Sequence, residues 1–93
     1  MKAESTELEQ RMADARRAGT PADSEAAMDL AEAHRQLFIR WFHDCDHEMR
    51  RAVADLCFDS PLFRGYWENV APGLAEFVHD AVHANADRAT PIA

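Results

Sequence analysis

The stretch His34-Arg35-Gln36-Leu37-Phe38-Ile39-Arg40-Trp41-Phe42-His43-Asp44-Cys45-Asp46-His47-Glu48-Met49 decides how this chain folds. Read at a helical period, Leu30, His34, Phe38 and Trp41 share one face, with Phe42 close beside them, because side chains three or four apart stack on the same side. The stripe is broad, aromatic and interrupted by one imidazole. Such a stripe either anchors a core or lines a cleft. The polar run Asp44-Cys45-Asp46 ends this helix and starts the next.

Upstream, the helix has two candidate starts. Thr20 can cap it with Pro21 in the first position, or Ser24 can cap it with Glu25 following. The region 22–24 is preferred, since Asp23 and Glu25 then sit where acidic groups complement the helix dipole. A first helix is expected from Ala3 to Ala18, carrying a thin apolar stripe of Leu8, Met12 and Ala15 and stopped by Gly19. A thin stripe on a charged helix predicts weak docking for residues 1–20.

Downstream, Asp46 is the expected cap of a third helix whose buried face reads Met49, Val53, Leu56 and Cys57. Ser60 caps and Pro61 opens a short fourth helix through Leu62, Phe63, Tyr66 and Trp67. A fifth helix is expected over about 72–87, with Pro72 in the first position and a stripe of Leu74, Phe77, Val78, Ala81 and Val82. Residues 89–93 read as a frayed tail. Five unequal helices with short junctions predict one all-α domain over residues 1–93, its helices crossing at the steep angles of a globin-like fold.

Composition narrows the function. The chain has 93 residues, three Gly and a formal charge of −7. That acidity disfavours contact with a phosphate backbone, and Arg16-Arg17 and Arg50-Arg51 make no basic patch, so no direct nucleic-acid partner is expected. No apolar run approaches the roughly 18 residues of a membrane span, and no signal-peptide pattern is visible. Two cysteines, Cys45 and Cys57, without a framework spacing suit a reducing compartment, here the cytoplasm.

Several groupings invite a chemical reading. His79-Asp80-Ala81-Val82-His83 places two imidazoles at i, i+4, as in zincins, but with Asp where Glu belongs and only ten residues left to supply a third ligand. His43, Cys45 and His47 crowd one junction, which Cys57 or His34 would have to complete, with no second short cluster to pair with. Cys45 precedes a helix N-terminus, yet Asp44 and Asp46 flank it and oppose a thiolate. No metal, no cofactor and no catalytic residue are therefore expected. The aromatic residues are more telling: Phe38, Trp41, Phe42, Phe63, Tyr66, Trp67 and Phe77 exceed what so short a chain hides easily, since indole N–H and phenol O–H need partners. A groove with aromatic walls suits an apolar small molecule or a partner helix.

The chain also resembles the TipAS antibiotic-recognition domain, the C-terminal effector domain of thiostrepton-induced MerR-class regulators. The resemblance runs through Pro21-Ala22-Asp23-Ser24-Glu25, Met28-Asp29, Ala31-Glu32, His34-Arg35-Gln36, Asp44-Cys45, Glu48-Met49, Pro72-Gly73-Leu74-Ala75, Asp80-Ala81 and Ala84-Asn85-Ala86, from about Glu4 to Thr90. It implies a globin-like helical domain with a deep cleft for thiopeptides and other bulky apolar antibiotics. It also implies a place in a dimeric regulator that binds promoter DNA through a separate winged helix-turn-helix, or a stand-alone drug sequestrant. Relative to such regulators, this chain is expected to lack the DNA-binding part and the segment that orders over the drug. Thiopeptide-binding members carry a cysteine that adds to a dehydroalanine of the antibiotic; that position looks to be Ala52 here, and Cys45 matches another family cysteine. The resemblance therefore implies reversible binding.

The expected ligand site comprises His34, Phe38, Trp41, Phe42, Asp44, Cys45, Met49, Ala52, Val53, Tyr66 and Trp67. Aromatic faces would supply burial, and His34 and Asp44 would supply orienting hydrogen bonds. The competing expectation is a protein–protein or dimerisation module using the same groove for a helix.

Overall fold

The computed structural model describes residues 2–42 and 45–89, with side chains from 5 to 40 and from 45 to 89. Among the described residues there are five α-helices: α1 (Lys2–Arg17), α2 (Glu25–Phe42), α3 (His47–Asp59), α4 (Pro61–Val70) and α5 (Leu74–Ala89). The fold is all-α.

The helix ends follow local chemistry. At the end of α1, Gly19 adopts φ +79, its N–H meets the Arg16 carbonyl and the Thr20 N–H meets that of Ala15, the paired bonds of a Schellman stop. Ser24 starts α2, its hydroxyl accepting from the Ala27 N–H at 3.3 Å. Asp46 caps α3 by accepting from the Met49 N–H at 2.8 Å. Ser60 holds the cap position of α4, but its side chain makes no capping bond; Pro61 at the first position has no N–H to satisfy. The start of α5 differs from expectation. Pro72 lies before the helix, and Glu68 reaches across from α4 to accept from the N–H groups of Gly73 and Ala75, both at 3.0 Å. A carboxylate on two orphan donors caps the helix that was expected to open at Pro72.

The hub is α5 rather than α2. It packs on all four other helices and buries Leu74, Ala75, Phe77, Val78, Ala81, Val82, Asn85 and Ala86. Its small residues let neighbours approach closely. The inward face of α2 is Ala27, Ala31, His34 and Leu37, with Leu30 and Phe38 half-buried beside it. The α1 stripe is as narrow as expected, yet it is sealed: Met12 and Ala13 are fully buried and Leu8 nearly so. Tyr66 of α4 also ties α1 down, donating its hydroxyl hydrogen to Glu9 at 2.7 Å.

The face of α3 is rotated from the expected one. Arg50 and Ala54 are its buried residues, Val53 and Cys57 are half-buried, and Met49 and Leu56 are 50% and 60% exposed. An arginine turns inward because α2 offers it an imidazole acceptor and a ring face. The expected tail, residues 89–93, lies outside the described residues except for Ala89, which ends α5.

Candidate functional site

His34, Phe38 and Trp67 form one aromatic corner. The His34 ring meets Phe38 edge-on at 4.9 Å and Trp67 at 5.8 Å, and Trp67 meets Tyr66 at 5.6 Å. Edge-to-face contacts of this kind lock ring orientation as well as burying area. Arg50 closes the corner from α3. Its Nη2 donates to His34 Nδ1 at 2.8 Å, and its guanidinium carbon stands 4.9 Å over the Phe38 ring. Because Nδ1 accepts, His34 carries its own proton on Nε2. Burial, with the Arg50 charge adding to it, pulls the His34 pKa down to about 3, so the ring is neutral. The Nε of Arg50 is buried and has no hydrogen-bond partner among the described residues. A buried donor in that state is either a stability cost or a handle for a ligand acceptor.

These groups surround a slot of about 40 Å³. Its walls are His34 and Phe38 of α2, Arg50, Val53, Ala54, Cys57 and Phe58 of α3, Trp67 of α4, and Ala75, Val78 and His79 of α5. It is a narrow slot, its rings packed edge against face between the helices. A roomier, shallower hollow of about 400 Å³ lies between α1 and α2, lined by Glu7, Leu8, Arg11, Ala33, Gln36, Leu37 and Arg40. Among the described residues its rim is mostly polar and no aromatic side chain lines it.

Of the residues expected in the site, His34, Phe38, Val53 and Trp67 come together at the slot. Tyr66 stands beside it, half exposed and held by Glu9. Met49 and Ala52 lie on the exposed side of α3 and are not part of the slot lining. Cys45 is buried near Arg50 but is not part of the lining, and its carbonyl accepts from Arg35 at 2.9 Å. Burial is the chief cause of the raised pKa of both the Cys45 and the Cys57 thiols. Trp41, Phe42 and Asp44 fall outside the described side chains. Sequence reasoning missed Arg50, Ala54, Cys57, Phe58, Ala75, Val78 and His79. The apolar ones carried a signal, namely their helical spacing; Arg50 carried none, since a charged residue reads as surface.

A second network ties α2 to its neighbours. Glu32 pairs with Arg35 at 2.7 Å and accepts from Asn85 at 3.0 Å, and Arg35 chiefly drives the Glu32 pKa down to about 2. It joins α2, α5 and the junction before α3.

The model of the TipAS antibiotic-recognition domain matches residues 1–85. The chain belongs to the TipAS family. It is 42% identical over 88 residues to the HTH-type transcriptional activator TipA of Streptomyces coelicolor, and equally to that of Streptomyces lividans, covering 95% of this chain. It spans 35% of the length of those relatives, about a third. Two solved structures superpose closely. The antibiotic binding domain of a TipA-class multidrug resistance transcriptional regulator gives a TM-score of 0.86 at 42% identity, with 96% of this chain and 95% of that one covered. TipAS of Streptomyces lividans in complex with the thiopeptide nosiheptide gives 0.88 at 42% identity, over 96% and 62%. These relatives are regulators and antibiotic-binding domains rather than enzymes. Among the described residues, no helix is long and apolar enough to cross a membrane.

Proposed function

We propose that this TipAS-family domain binds bulky apolar antibiotics of the thiopeptide kind, reversibly and without catalysing a reaction, at the slot framed by His34, Phe38, Arg50 and Trp67. The observation that carries the reading is the aromatic corner itself, in a chain that superposes on a thiopeptide-bound relative. A slot of about 40 Å³ has room for little more than one water-sized group. A thiopeptide therefore engages by inserting one heterocycle edge between the rings as α3 and α4 part from α2 and α5. Aromatic faces supply stacking, and burial contributes about 25 cal/mol per Å² of apolar area. The Arg50 Nε–H, already desolvated, donates to a carbonyl or ring nitrogen of the guest. Reversibility follows from chemistry: Ala52 offers no thiol, and burial disfavours the thiolates of Cys45 and Cys57. In a longer regulator the bound domain would signal to promoter DNA through another part of the protein; alone it would sequester drug.

One observation favours a second reading, a helix-docking or dimerisation module. Leu56, Leu62, Phe63 and Tyr66 leave apolar surface exposed along α3 and α4. Light scattering separates the two: antibiotic binding by a monomer supports the first, and a drug-free dimer that fails to bind nosiheptide supports the second.

A further inference from the structure

The two imidazoles of α5 that lacked a third ligand in sequence have one in space. His79 Nε2 and His83 Nε2 converge on the same oxygen of Asp55 on α3, at 2.9 and 2.8 Å. The three donor atoms lie within 4.8 Å of one another. Their neighbours are Asp80, whose carboxylate is 3.1 Å from His79 Nδ1, and Arg51, whose Nη1 is 3.2 Å from His83 Nδ1 and which also pairs with Asp87 and Glu48.

Proton accounting at His79 is the telling point. A carboxylate oxygen faces each of its ring nitrogens. A neutral imidazole has one N–H, so only one of those contacts can be a hydrogen bond. The second needs either a second proton or a cation between Nε2 and Asp55. With the N–H on Nδ1 pointed at Asp80, the ring has the carboxylate–histidine–metal arrangement that orients metal ligands elsewhere.

We infer that Asp55, His79 and His83 form a binding site for a divalent transition metal, Zn²⁺ by ligand chemistry, clipping α3 to α5. Two imidazoles and one carboxylate leave a fourth position for water, the pattern of an open zinc site. Tetrahedral donors around Zn²⁺ lie about 3.3 Å apart, so the contacts at 2.8 and 2.9 Å need to open by about 0.5 Å, and the two imidazole nitrogens, within 4.8 Å of each other, need to settle at the same spacing. The surroundings suit a cation: Asp80 stands against His79, and the Arg51 guanidinium beside His83 is itself paired with Asp87 and Glu48. On binding, the His83 proton moves to Nδ1, and Arg51 turns from it while keeping Asp87. His79 also lines the slot and stacks on Phe58 at 4.8 Å, so the clip stands at the slot wall. The site stands independently of the antibiotic reading.

The test is a Zn²⁺ titration of the untagged, chelator-stripped full chain in competition with a fluorescent chelator. One Zn²⁺ per chain is expected. His79→Gln, His83→Gln and Asp55→Asn should each weaken binding by at least about 10-fold, and Asp80→Asn by about 10-fold. Arg51→Met should tighten it severalfold, a gain that misfolding cannot produce. Co²⁺ in the site should give d–d bands without a thiolate charge-transfer band. Affinity unchanged by the His79 and His83 substitutions, a loss on Arg51→Met, or a thiolate band pointing to Cys45 or Cys57 would each overturn the assignment.

Discussion

Nη2 of Arg50 donates to Nδ1 of His34 across 2.8 Å, a buried cation resting on a buried neutral ring. Each fixes the other: the guanidinium selects the His34 tautomer, and the ring gives the guanidinium an acceptor where water is excluded. Phe38 and Trp67 hold the pair in place from two sides.

The pair sets a pH dependence. Unfolded, His34 takes up a proton near its ordinary 6.5; folded, it does so only near 3. The unfolded chain thus binds more protons between those values. Stability is full above pH 6.5 and falls as pH drops, by about 2 kcal/mol at pH 5. Glu32, held at about 2 by Arg35, adds a loss only below its ordinary 4.5. Between 6.5 and 4.5 the His34 contribution is therefore not overlaid by that of Glu32, and the difference between the parent chain and a His34 variant isolates it. Urea melts should lose this slope in His34→Gln, whose amide oxygen still accepts from Arg50; an unchanged slope would refute the assignment.

Arg50 stabilises the fold little, since burying a guanidinium with an orphan Nε costs about what its contacts return. Arg50→Met should change unfolding free energy by no more than about 1 kcal/mol. Nosiheptide affinity in the same variant should fall at least about 10-fold, the scale of one lost charge-assisted hydrogen bond. Calorimetric titration and melts on one sample check both.

Gly73 has φ +81, and a Cβ there would stand 2.8 Å from Arg16 Nη2. Gly73→Ala should cost about 1–2 kcal/mol, combining left-handed strain with displacement of Arg16. Adding Arg16→Ala should recover only part, because the backbone strain stays. Full recovery in the double variant would locate the cost in the clash alone.

Reversible binding has a mass signature. After incubation with excess nosiheptide at neutral pH and denaturation, intact-mass spectrometry should return the unmodified chain. Introducing a thiol with Ala52→Cys tests whether that exposed position lies within reach of a dehydroalanine; an adduct on the unsubstituted chain would contradict the reading of Cys45 and Cys57.

Much of the fold could be read from local rules. Ser24, Asp46, Pro61 and Gly19 mark helix ends through their own backbone and side-chain chemistry, which needs no tertiary context. The stripe of α5 appears as read because its inward face is apolar throughout. Reading failed where a distant residue decides. Periodicity alone pointed Met49 and Leu56 of α3 inward, but His34 and Phe38 on α2 make Arg50 the better inward residue. Glu68 caps α5 from another helix, and Asp55 meets His79 and His83 across twenty-four and twenty-eight residues of chain. Such partners have no sequence spacing to betray them. At the slot, the ring residues His34, Phe38 and Trp67 were legible as neighbours; the arginine that orients His34 was not.

The most direct measurement is the emission of Trp67 during nosiheptide titration, with Trp41→Phe removing the other indole. The account predicts a saturable change at one drug per chain, lost on His34→Ala in a variant that remains helical. Tight binding that leaves Trp67 emission unmoved, or no binding at all, would contradict a site at the slot.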